Sequence, residues 1–81
     1  MPYIENYLRK EITGPQKRSP KTSGELTFSL YRTIMDYVTT NRRSWQTYSD
    51  VLGALTGCTQ EFYRRVVAPH EDKKLEENGD I

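Results

Sequence analysis

The densest mix of ring and cation in this chain is Tyr63-Arg64-Arg65, with His70 close behind; Arg42, Arg43 and Trp45 form a second such cluster. Arginine presents a planar fork of donors suited to phosphate or carboxylate, and aromatic rings stack on bases. Those residue types would suit a nucleotide-like anion. Each cluster alone also fits an ordinary helix surface, since cations near a helix C-terminus complement its dipole and Glu61 or the acidic tail offers partners. His70 is the only histidine, and no second His or matching Cys supplies a metal ligand set. It also lacks an identifiable nucleophile or orienting partner, so no catalytic residue is assigned and no enzyme is expected. Gly53-Ala54-Leu55-Thr56-Gly57 is not followed by the Lys-Ser/Thr of a phosphate loop.

The element that must position the denser cluster runs from Ser44 to Pro69. Tyr48, Val51, Leu52, Leu55, Cys58, Phe62 and Val66 follow the spacing of a core-facing helical stripe. A helix over 47–68 is predicted, capped at Thr47 and broken or reset at Pro69. Cys58 lies in the stripe and reads as a small buried hydrophobe. On the opposite side Gly53, Gly57, Gln60 and Arg64 form a line. Two glycines inside a helix cost about 1 kcal/mol each against alanine, so a close neighbour is expected there. Another helix of the same chain is the favoured occupant; a ligand or an oligomer interface through Gly53, Gly57 and Gln60 is the other reading.

Earlier in the chain, Thr22-Ser23-Gly24-Glu25 has the form of a capping box, with the Thr hydroxyl on the fourth residue's N–H and the Glu reaching back. A helix over about 24–40 follows, with Leu26, Leu30, Ile34 and Val38 on one line. Residues 3–12 predict a short helix with Ile4, Leu8 and Ile12 on its apolar edge. Between them, 13–23 holds two prolines, one glycine and three basic residues, and is expected as a flexible loop with a solvated surface. After Pro69, an acidic segment ending at Gly79 predicts a surface helix or tail. The fold class is all-α: a single small helical domain over 1–81, with two longer antiparallel helices and shorter helices at both ends.

Composition narrows the function classes. At 81 residues the chain is small enough that its core is thin and oligomerisation is a common remedy. The net charge is +1, with five acids against two lysines after Val67, far from the basic footprint of a duplex-DNA binder. The connection before the long helix also exceeds the usual helix-turn-helix turn. A lone cysteine forbids an intrachain disulfide, and no apolar run approaches a membrane span. The expectation is a cytoplasmic homo-oligomer without membrane contact or cofactor.

Gly24–Leu26 (GEL), Tyr48–Leu55 (YSDVLGAL), Glu61–Lys74 (EFYRRVVAPHEDKK) and Glu77–Asp80 (ENGD) resemble a family of small, uncharacterised proteins found widely in bacteriophages and prophages. The resemblance covers about two thirds of the chain. It implies a phage setting within a bacterial cytoplasm, and in that setting inhibition of host defence is a natural role for a compact non-enzyme. The expected function is a binding protein that counters bacterial immunity, for example by sequestering a nucleotide-derived signal in an inter-subunit pocket. Arg64, Arg65 and Arg42 or Arg43 would take the phosphates, with Tyr63 or Trp45 stacking. Alternatives are an anti-CRISPR-like inhibitor that masks a host effector protein, or a small nucleic-acid-binding regulator.

Overall fold

The computed structural model describes residues 4–14 and 18–79, so the expectations for Pro2, Tyr3, Lys17 and Asp80 lie outside the described residues. The fold is all-α, with no strand among the described residues. It divides into two compact units, residues 1–43 and 44–81.

The first unit holds α1 (Asn6–Thr13) and α2 (Ser23–Asn41). The two run in the same direction. Ile4 lies beside Gly24, Arg9 sits over the Phe28 ring at 5.4 Å, and Ile12 and Thr13 share a cleft with Ser29 and Thr33. Contacts that advance together along both helices define a parallel pair. The segment from Gly14 to Thr22 carries the chain back to the start. An eight-residue helix rises only ~12 Å, well within reach of nine extended residues.

Two glycines make this pairing possible. A Cβ at Gly14 would stand 2.6 Å from the Lys10 carbonyl oxygen, where the Gly14 N–H closes α1. At Gly24 a Cβ would press on Ile4 at 3.2 Å, so its absence lets α1 approach α2. The Thr22 hydroxyl accepts from Glu25 N–H at 3.1 Å, as the capping box predicts. The reciprocal bond differs: Glu25 Oε1 accepts from Lys21 N–H instead, because Arg18 draws the carboxylate to that side.

The second unit is one continuous helical rod of 34 residues. It comprises α3 (Trp45–Phe62), a π turn (Tyr63–Val67) and α4 (Ala68–Asn78). Two boundaries correct the sequence reading. The cap is Ser44, not Thr47: extended backbone at Ser44 turns its hydroxyl onto Thr47 N–H at 3.3 Å, and the helix begins with Trp45. Pro69 neither breaks nor ends the helix. It has no N–H for the Arg65 carbonyl and its ring would clash with it. The preceding turn widens instead, so that Ala68 N–H reaches back to Tyr63 O. A π turn of this kind inserts one extra residue into an α-helix. Gly79, in the left-handed region at φ 80°, closes α4 on the Leu75 carbonyl.

Burial is sparse. Among the described residues only Ile12, Glu25, Val38 and Thr47 are buried, and no large side chain is fully enclosed. The apolar stripe of α3 is largely open: Leu52 is 57% exposed, Phe62 61% and Leu55 39%. Cys58, expected inside, is exposed with it. No helix is long and apolar enough to cross a membrane among the described residues.

Candidate functional site

The π turn gathers the denser cluster. Arg64 Nη2 and Arg65 Nε both donate to one oxygen of Glu61, at 3.0 and 2.7 Å. Successive arginines normally diverge by about 100° around a helix; the shared carboxylate turns both toward one side. All three side chains are more than half exposed. Ion pairs of this kind contribute ~0–1 kcal/mol, so an incoming anion displaces Glu61 at little cost.

Tyr63 Oη donates to Glu71 Oε1 at 2.8 Å, spanning the widened turn. That bond holds the Tyr63 hydroxyl above its ordinary range, because the proton is shared with a carboxylate and the Glu71 charge opposes ionisation. The ring is half-exposed and drawn toward Glu71, while the arginines reach back to Glu61. His70 is exposed on the next turn. Among the described residues no group of three or more His, Cys, Asp or Glu side chains is placed to hold a metal ion.

The other expected residues are distributed differently. Trp45 begins α3 and is 75% exposed. Eighteen residues separate it from Tyr63 on the same rod, ~27 Å along the axis. One copy of this rod therefore does not bring Trp45 to the Arg64–Arg65 pair. Arg42 and Arg43 close the first unit, both exposed. Arg42 caps α2 at φ 78° and ψ 130°, a conformation that side-chain-bearing residues rarely adopt. Gly53, Gly57 and Gln60 lie open: a Cβ at either glycine meets nothing within 4 Å.

Sequence reasoning missed Arg18, which it left in a solvated loop. Its guanidinium binds Glu11 Oε2 through Nε and Nη2 at 3.0 and 2.8 Å, the Ser19 carbonyl at 3.1 Å, and Glu25 Oε1 at 2.5 Å. These bonds draw Arg18 upward from its ordinary value and lower that of Glu25, whose first cause is the Arg18 hydrogen bond. Arg18 also lines a cleft of about 410 Å³ with Arg32 and Asp36. That cleft is a poor anion site. Arg18 is consumed by two carboxylates, and Arg32 faces Asp36 at 3.6 Å.

No curated protein and no solved structure matches this chain. The family match is complete in length: over residues 1–81 the chain belongs to a domain family of unknown function, DUF6899.

Proposed function

We propose that this protein is a non-enzymatic, phage-type binding protein that counters bacterial anti-phage immunity by sequestering a nucleotide-derived signal between subunits. The observation that carries the reading is the pairing of Arg64 and Arg65 on Glu61. Two guanidinium groups turned to one side, held only by a displaceable carboxylate, suit a phosphate. Tyr63, next in the chain and half-exposed, is a residue type that stacks on a base. The strained backbone of Arg42 adds to this, since such conformations cluster at ligand sites. The phage setting rests on the resemblance of the Glu61–Lys74 and Glu77–Asp80 segments.

The test is thermal denaturation against a panel of cyclic dinucleotides and ADP-ribose derivatives. A ligand at 100 times its Kd adds ~2.7 kcal/mol of stability, a shift of several degrees. That shift disappears in Arg64→Ala if the reading holds. No shift across the panel ends it.

A second reading draws on the first unit, where Leu26, Leu30, Tyr31 and Tyr37 are exposed along α2. Exposed apolar faces of this kind serve protein recognition. On that reading the chain masks a host effector protein, and it co-purifies with that protein instead of shifting with nucleotides.

A further inference from the structure

The apolar stripe of α3, largely exposed, has an internal symmetry. Tyr48, Val51, Leu55, Cys58, Phe62 and Val66 follow one another at spacings of three, four, three, four and four. The last interval contains most of the π turn, which absorbs one residue. The effective spacing becomes three, four, three, four, three. This is a heptad seam that reads the same in both directions.

We infer that this seam is where a second copy of the chain docks, antiparallel, about a twofold axis between Leu55 and Cys58. The inference rests on the assembly that the proposed function requires, and adds the surface and the orientation. Antiparallel pairing sets Tyr48 against the partner's Val66, Val51 against the partner's Phe62, and Leu55 against the partner's Cys58. Every layer joins a larger side chain to a smaller one, the condition for even filling of a helix–helix core. Parallel pairing would stack Tyr on Tyr and Phe on Phe while leaving Cys on Cys, overfilling some layers and emptying others.

Exposure supports the same occupant. Leu52, Phe62 and Val66 are each more than half open along the seam, and a specific interface needs ~1,000 Å² of such surface in total. The glycine line lies on the far side of α3 and has no apolar area to contribute.

Antiparallel pairing also brings the partner's Trp45 level with the Val67–His70 turn.

The experiment uses the full chain carrying Lys74→Cys and Cys58→Ser, labelled with a nitroxide. Light scattering gives the mass, and pulsed dipolar spectroscopy gives the distance between labels. The expected result is a mass of at least two chains and a separation of ~50 Å, because residue 74 lies far from the twofold axis on each copy. A separation below ~25 Å, the parallel value, overturns the inference. A monomeric unlabelled wild-type chain at ~100 μM also overturns it, since an interface of this size should associate in that range. Leu55→Asp in the wild-type background should return the monomer while circular dichroism keeps the α1–α2 helical signal. The long distance without any nucleotide shift would sink the proposed function alone. A monomer that still shifts with nucleotide would sink the docking inference alone.

Discussion

Arg18 and Glu25 form the hinge pin of the first unit: the guanidinium meets the carboxylate at 2.5 Å, and only 3% of Glu25 is exposed. Glu25 opens α2, Arg18 lies in the return segment, and Glu11 on the far side of Arg18 belongs to α1. One cation therefore ties three stretches of chain together. Removing it leaves a buried carboxylate with the Lys21 N–H as its remaining described donor.

Arg18→Ala is expected to lower Tm by on the order of 5–10 °C in a circular dichroism melt, as for other broken buried pairs in small domains. Adding Glu25→Gln should recover part of the loss, because a neutral amide oxygen still accepts from Lys21. Equal or greater loss in the double variant would show that the pair is not what links the helices.

The pH dependence follows from the same pair. Glu25 ionises below its ordinary range in the fold, so its contribution is fully present above the unfolded carboxylate value. That contribution is lost as pH falls through the lowered folded value. The wild-type Tm should decline on acidification below about pH 4.5, and Glu25→Gln should flatten that limb.

Tyr63 behaves with the opposite sign. Its hydroxyl is held above the ordinary range by Glu71, so its contribution is complete below the unfolded tyrosine value and is lost as pH rises through the folded one. Spectrophotometric titration should show one tyrosine ionising later than the others, and Tyr63→Phe should remove that late step. If all tyrosines ionise together in the wild type, the Tyr63–Glu71 bond does not persist in solution.

Arg42→Gly should stabilise the chain by about 0.5–1 kcal/mol, because glycine relieves the left-handed strain at φ 78° while adding unfolded-state freedom. If Arg42 also contacts the ligand, the same variant loses part of the nucleotide-induced Tm shift. Greater stability with weaker binding is the combined outcome expected from the melts.

Gly53→Ala and Gly57→Ala should each add about 1 kcal/mol, since a Cβ at either site meets open space inside a regular helix. The mass by light scattering should not change, because the proposed seam lies on the other side of α3. A dissociated double variant would move the interface to the glycine line.

Much of the helical layout was legible because its signals are local. The Thr22 cap and the Gly79 stop are set by residues within a turn of the helix end, and the apolar spacing of α3 is visible in the sequence. The cap of α3 was misjudged by three residues, because Ser44 and Thr47 are both good caps and only the backbone at Ser44 distinguishes them. The Arg18 contacts were hidden for a different reason. Glu11, Arg18 and Glu25 are seven residues apart, and only a chain that doubles back between parallel helices brings them together.

The sequence by itself determined the all-α class, the cluster of Tyr63, Arg64 and Arg65, and the apolar stripe, because composition and period act over a few residues. Tertiary structure alone decided that α1 and α2 run parallel, that Pro69 widens the helix instead of ending it, and that the α3 stripe and Cys58 face outward. The physical reason is common to all three. A hydrophobic period says that a face needs covering, while chain reversal, the backbone's response to a missing N–H, and the identity of the covering surface depend on contacts that the local sequence does not encode.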